Sequence, residues 1–321
     1  MVRQASGHLN FVDSCLGVNQ KLNQRLDKID HLVDWSRLEE KMNRIYASPT
    51  GRPSHPVLLL FKSLLLQTWY SLSDYALEEV LDDRISFRRF VRLSLAEKAP
   101  DHSVFSRFRD QLVRHGIHEE LFKEINRQLE ERGLIVKKGT LVDATVIEAA
   151  PKKPNQNEDG TAGKSSADPD ADWTKKGGKY LFGYKAHVGV DQGSELIRKI
   201  VMTPAHVHDG EMLQHVVTGD ESWAFADKAY DSEKNYSILR EKGIENGILM
   251  KGTRKRKLSA VEKMCNRVLS KWRSPVERVF GTLKRSYRYS RARYLGLRKN
   301  WLQLTMMSMA YNLRRMEKLC G

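Results

Sequence analysis

The hydrophobic period of this chain changes near residue 140, and that change constrains the fold more than any other feature of the sequence. Upstream, across 22–135, apolar residues recur at helical spacing. Val57, Leu58, Leu60, Phe61, Leu64 and Leu65 make one such set, as a helix with a buried face requires. Asp74 to Leu81 continues the pattern. Pro100-Asp101-His102-Ser103 reads as a helix start ahead of Val104, Phe105, Phe108 and Leu112. Helices of this kind need a partner surface, so residues 1–135 are expected to form an all-α N-terminal domain. Downstream, Thr140 to Val146 alternates and is rich in β-branched residues, which predicts a strand.

Beyond that point the elements are mixed. Residues 151–178 are polar, with Pro, Gly, Asn and Ser, and read as a mobile loop. Tyr180 to Val190 and Glu195 to Val201 read as strands joined by the hairpin-like turn Asp191-Gln-Gly-Ser194. A helix is expected at Glu211 to Val217, a buried-type strand at Ser222 to Ala226, a helix at Tyr236 to Lys242 and a short strand at Gly247 to Met250. Residues 257–289 and 300–319 look helical. The order predicts an α/β domain over 136–321, a mixed central sheet with helices packed on it.

Charge is distributed unevenly. The net is +15, but residues 251–321 carry 20 Lys+Arg against 3 Asp+Glu, while the other 250 residues carry 35 against 37. A localised basic surface suits a polyanion; a solvated basic tail is the plainer reading, weakened by the aromatic and apolar residues interleaved with the charges. Three scattered cysteines, with no C-x-x-C pair, speak against a disulfide framework or thiolate zinc site and fit a reducing compartment. No apolar signal core opens the chain. The stretch Val57–Leu66, broken by Lys62 and Ser63, is too short to span a bilayer. A cytoplasmic, nucleoid-associated protein with no membrane partner is expected.

Three carboxylates are candidates for chemistry. Asp143 sits inside the strand L-V-D-A-T, where a charge is costly unless paired, hydrogen-bonded or metal-bound; an Asp on a strand's wet face reads equally well. Asp227 ends W-A-F-A-D, at the edge of a buried strand, or else caps the turn that follows. Glu277 follows Pro275 at a helix start, with Val276, Val279, Phe280 and Leu283 as the buried stripe. It is either a ligand among cations or an exposed member of helical ion pairs. Three acids converging on a sheet edge would hold hard divalent cations such as Mg²⁺, with Mn²⁺ as an alternative. Arg273, Lys284 and Arg285 are candidate phosphate grips, as are Lys228 and the run Arg254-Lys255-Arg256-Lys257. His187, His206, His208 and Asp209 offer an H-x-H-D motif, for which a structural or supporting role outweighs a zinc site, since no further ligands complete one.

The chain resembles the IS5 group of insertion-sequence transposases, within the IS4-like DDE transposases. The resembling stretches are P-D-H-S-V-F-S-R-F-R (100–109), L-V-D-A-T-V-I-E-A (141–149), F-G-Y-K-A-H-V-G-V-D (182–191), T-P-A-H-V-H-D (203–209), A-D-K-A-Y-D (226–231) and R-S-P-V-E-R-V-F-G-T-L-K (273–284), in the family's order. The resemblance implies an RNase H-like catalytic domain, with Asp143, Asp227 and Glu277 as the catalytic and metal-holding triad. It also implies a Tyr-x2-Arg-x3-Glu-x6-Lys signature, matched by Arg273, Glu277 and Lys284 but carrying Ser270 in the Tyr position. The N-terminal helices would help bind the terminal inverted repeats.

The expected function is a DNA transposase that binds terminal inverted repeats, hydrolyses a phosphodiester at each end and joins the 3′-hydroxyls to target DNA, working as a homodimer on DNA. Two rivals share its features. One is a metal-dependent nuclease that cuts without joining; the other is a non-catalytic DNA-binding regulator.

Overall fold

The computed structural model describes residues 23–46, 54–155, 163–253 and 256–321. It divides into two compact units, one comprising residues 1–132 with 305–321 and the other residues 133–304.

The first unit is helical: α1 (Gln24–Leu32), α2 (Trp35–Met42), α3 (Val57–Tyr70), α4 (Asp74–Asp83), α5 (Ile85–Val91), α6 (His102–Arg114) and α7 (Ile117–Glu131). Polar side chains close the helix starts. Asn23, Asp34, Ser73 and Asp101 accept from backbone N–H groups at the beginnings of α1, α2, α4 and α6, satisfying donors that have no partner inside a helix. α3 is buried on nearly every side, including Lys62 and Ser63, the two residues that interrupt its apolar run. The Lys62 ammonium reaches Asp30 and donates to the Phe90 carbonyl at 3.1 Å. It also lies over the rings of Trp35 and Phe90, at 4.3 and 4.9 Å. A helix hydrophobic all round is a central helix, and its one charge is accommodated because every donor direction meets an acceptor or a ring face.

The second unit holds β1 (Thr140–Glu148), β2 (Asp172–Lys176), β3 (Lys179–Asp191), β4 (Ile197–Pro204), β5 (Trp223–Ala226) and β6 (Glu245–Ile248). They form one sheet of order β2-β3-β1-β5-β6, with β4 paired to β3. β2, β3, β4 and β1 are joined antiparallel, whereas β5 runs parallel to β1 and β6 parallel to β5. The parallel half needs crossovers. α8 (Leu213–Val216) precedes β5, and α9 (Glu233–Glu241) links β5 to β6. Helices α10 (Ala260–Arg273), α11 (Pro275–Arg285) and α12 (Leu297–Leu319) follow, the last continuing into the first unit from residue 305. This mixed sheet flanked by helices, behind a helical N-terminal region, is of the RNase H-like class that the sequence led one to expect.

Two details differ from the sequence expectation. The polar stretch 151–178 carries an edge strand, β2, whose Trp173 packs against Phe182. An edge strand is held by backbone bonds and charged side chains suit its open side, so D-W-T-K-K leaves little hydrophobic trace. Residues 156–162 of that stretch lie outside the described residues. The helix expected over 257–289 is two helices, broken at Ser274 because Pro275 has no N–H to continue the ladder.

Candidate active site

β1 lies between β3 and β5 and is mostly buried, with Asp143 and Ala144 partly covered and Glu148 exposed. Leu141 and Val142 are fully buried. The parallel register pairs Thr140 with Ala224 and Leu141 with Phe225. Continued by two residues, the same offset sets Asp143 level with Asp227, just past the end of β5. Two acids 84 positions apart in sequence thus come near enough for the charge of one to act on the other.

Each is held by its own backbone. Ala144 N–H donates to Asp143 Oδ1 at 2.8 Å. Asp227 caps a single turn of 3-10 helix, Lys228–Tyr230, its Oδ1 accepting from Ala229 N–H at 2.5 Å. The capping reading and the edge-of-strand reading of Asp227 are therefore both true. Burial pushes the Asp143 carboxyl above the usual carboxylate range; Arg273 and the Ala144 N–H oppose that shift, and the charge of Asp227 adds to it.

The third acid comes from the helices after the sheet. Val276, Val279, Phe280 and Leu283 are the buried stripe of α11, as their spacing predicts, and the helix packs against β1. That places Arg273, the last residue of α10, over the sheet edge. Its Nη1 donates to Asp143 Oδ2 at 2.8 Å, and its Nη2 lies 3.5 Å from Glu277 Oε1. Arg273 is thus a bridge between two of the three acids, its side chain only 17% exposed, while Glu277 is 69% exposed. Asp143 and Asp227 are neighbours, Asp143 is joined to Glu277 through Arg273, and Glu277 stands at the rim.

The donor set is all oxygen, which fits a hard divalent cation. Among the described residues, the group of three metal-capable side chains whose ligand atoms all lie within 4.8 Å of one another is Glu78, Asp101 and His102; Asp143, Asp227 and Glu277 are spaced more widely. The Glu78 group belongs to the start of α6. Asp101 caps that helix, and Glu78 accepts from His102 N–H at 2.9 Å with the His102 ring Nδ1 at the same distance.

The remaining candidates are scattered in role. Lys228 is exposed next to Asp227. Lys284 is half-buried, its ammonium held below the usual lysine range by burial and by the nearby charge of Lys176. Arg285 is exposed, its Nε donating to the Gly281 carbonyl at 3.4 Å. Arg256 pairs with Glu262, and Lys257 is exposed. Arg254 and Lys255 lie outside the described residues.

The H-x-H-D motif does not gather into a metal site. His206 Nδ1 lies 2.8 Å from Asp172, His208 caps the turn at Gly210, and Asp209 pairs with Lys185 at 3.0 Å. His187 is buried beside Thr203, and desolvation pushes it down to about 4.

Sequence reasoning missed two features. Nothing local couples Arg273 to a residue 130 positions earlier. Tyr230, three residues past Asp227, is buried at the same edge; the only sign of it was the aromatic in A-D-K-A-Y-D, which reads as core.

Residues 135–313 match the family model described as Transposase DDE domain, and residues 15–111 match one described as Transposase domain (DUF772). No solved structure matches the chain. Among the described residues, no helix is long and apolar enough to cross a membrane.

Proposed function

The chain belongs to the transposase DDE-domain family, and from that premise we propose that it binds the terminal inverted repeats of an insertion sequence of the IS5 group. It hydrolyses a phosphodiester at each end and transfers the resulting 3′-hydroxyls into target DNA. A transposase that cuts DNA in this way is a metal-dependent enzyme. Asp143, Asp227 and Glu277 are the residues that would hold two Mg²⁺ or Mn²⁺ ions, which supply activation of the attacking hydroxyl and neutralise the leaving oxygen.

The observation that carries this reading is the register of β1 and β5. Continued two residues past its Leu141–Phe225 pair, that register leads Asp143 toward Asp227, and Arg273 ties Asp143 to the helix that carries Glu277. Two like charges side by side in a partly desolvated strand are unfavourable unless a cation compensates them. Arg273 supplies one positive charge for three carboxylates, which leaves the group acidic. Glu277, exposed at the rim, meets the same guanidinium as Asp143. The protein residues orient and neutralise; in-line attack by water or a 3′-hydroxyl needs no covalent enzyme intermediate.

Lys228, Lys284 and Arg285, with the 254–257 run, would contact the DNA backbone. The N-terminal helices would bind the repeats, and two ends processed together require a dimer on DNA. A nucleoid-associated, cytoplasmic location follows from that substrate.

The test is an oligonucleotide carrying a pre-cleaved transposon end with a free 3′-hydroxyl, incubated with protein, Mg²⁺ and target DNA. Joined product supports the transposase reading. Cutting without joining gives the function to a nuclease. DNA binding with neither activity in wild type or Asp227→Asn gives it to a regulator.

A further inference from the structure

The hairpin of β2 and β3 carries a charge pattern that folding alone disfavours. Gly177 and Gly178 join the two strands, both at positive φ, +57° and +80°, as a two-residue turn between twisted strands requires. The pair that closes the turn is Lys176 opposite Lys179, and the next is Lys175 opposite Tyr180. Like charges directly opposite in a ladder are destabilising.

The tip stands clear of the rest of its unit. Residues 175–180 are all exposed, Tyr180 at 63%, and a Cβ at either glycine would meet nothing within 4 Å. Lys175 lies over the Tyr180 ring at 5.2 Å, and Lys153 donates to the Tyr180 carbonyl at 3.0 Å, which brings a fourth cation to the tip. Among the described residues, none of these four lysines is paired with a carboxylate. Cations gathered in this way repel one another until an anion is shared among them, and they suit a polyanion.

The position of the tip says which part of a polyanion it would meet. Asp143 is paired with Val188 on β3, and Gly178 lies ten residues before Val188 in the chain. At the rise of a β-strand the tip is roughly 30 Å from the level of Asp143. One turn of B-form duplex is about 34 Å, or about 10 base pairs. α11 runs the same way. Glu277 meets Arg273 beside Asp143, and Lys284, seven residues further along the helix, lies close enough to Lys176 for the two charges to act on each other.

We propose that the β2–β3 hairpin is a separate DNA contact, with Lys175, Lys176 and Lys179 gripping the phosphate backbone of a transposon end about one helical turn inward from the phosphodiester held at the acids. The proposal rests on the reading of the chain as an enzyme that acts on such ends. It adds a contact that sets the path of the duplex and takes no part in the chemistry. Backbone contacts of this kind fix register and orientation without reading sequence.

The experiment uses the full chain as wild type and as the triple variant Lys175→Gln, Lys176→Gln, Lys179→Gln. The probes are duplexes carrying the pre-cleaved transposon end, about 8 and about 25 base pairs long, of which only the longer reaches past one turn. Binding is followed by fluorescence anisotropy over a salt series, and thermal unfolding is measured without DNA. On the longer duplex the triple variant is expected to bind about 10-fold or more weakly, with the slope of log K against log salt reduced by about 3. On the shorter duplex it should match wild type. Its unfolding temperature should equal or exceed that of wild type, because the repulsion between Lys176 and Lys179 is gone. Wild-type affinity and slope on the longer duplex overturn the proposal and leave the transposase reading standing. Equal weakening on both lengths moves the three lysines to the cleaved end and overturns the placement. Weakened binding with a clear fall in unfolding temperature assigns them to the fold and also overturns it. Wild type that binds the transposon end no better than a duplex of unrelated sequence overturns the end-binding reading, and the proposal with it.

Discussion

Arg273 donates from Nη1 to Asp143 Oδ2 at 2.8 Å, across 130 positions of sequence. Both side chains are mostly buried, at 17% and 22% exposure, so the pair is shielded from the screening that makes surface ion pairs weak. Removing one partner strands the other. Arg273→Ala is expected to destabilise the metal-free protein by about 3 kcal/mol, measured by urea unfolding. Arg273→Lys recovers only part of the loss, because a lysine does not reproduce the two-armed bridge from Asp143 to Glu277. Unchanged unfolding in Arg273→Ala sinks the claim that the bridge organises the edge.

Each acid is expected to be separately indispensable to strand cleavage. Asp143→Asn, Asp227→Asn and Glu277→Gln should each lower the cleavage rate on the order of 10²–10³-fold, the scale of single charge-stabilising groups. Affinity for transposon-end DNA in a gel-shift assay should persist. Glu277→Gln decides most, since Glu277 is the exposed member; cleavage at the wild-type rate in that variant removes it from the site.

Lys62 makes the helical unit sensitive to alkaline pH. Burial pushes its ammonium down to about 8, against the opposing pull of Asp30. In the unfolded chain a lysine titrates near 10.4, so between those values the unfolded state binds the extra proton and stability rises with pH. The contribution is fully present above the unfolded value and is lost as pH falls through about 8. The shift corresponds to roughly 3 kcal/mol. Wild type minus Lys62→Met, compared by urea unfolding across that window, should show the rise; equal pH dependence in the two proteins contradicts it.

His187 sets the acid side. Desolvation pushes its imidazole down to about 4, with Asp209 opposing and Lys185 assisting. Stability from this buried neutral ring is complete above about 6.5, the unfolded value, and declines as pH drops toward 4. His187→Gln should flatten that decline in acid unfolding curves, and a curve parallel to wild type from pH 7 to 4 excludes the ring as its source.

DNA affinity should fall steeply with salt as counterions are released. Neutralising one phosphate-contacting cation reduces the slope of log K against log salt by about 1. Lys228→Ala, Lys284→Ala and Arg285→Ala are each expected to do so. A variant that weakens binding without changing the slope identifies a cation that supports structure, and Lys284, half-buried beside Lys176, is the one on which this distinction bears most.

Some of the site was legible in the chain. Asp143 lies inside a strand, Asp227 at the end of one and Glu277 on a helix opened by Pro275, the elements the sequence predicts for them. Their signals are local: β-branched alternation, an apolar run that stops at an acid, and a proline followed by a stripe at helical spacing. β2 left no such signal, because backbone pairing at a sheet edge asks little of side chains. The choice between the two readings of Asp143 was also out of reach, since it depends on Arg273, 130 positions away, which covers the carboxylate.

The sequence by itself determined where helix gives way to strand, which residues line each buried stripe and which acids end up in ordered elements, because those properties depend on neighbours within a few positions. The tertiary structure alone decided that β1 and β5 pair in the register that carries Asp143 toward Asp227, that Arg273 serves Asp143 and Glu277 together, and that Tyr230 is buried in the core beside them. Such relationships are set by the register of strands and the packing of a helix on a sheet. They join residues tens to more than a hundred positions apart, a distance over which side-chain periodicity carries no information.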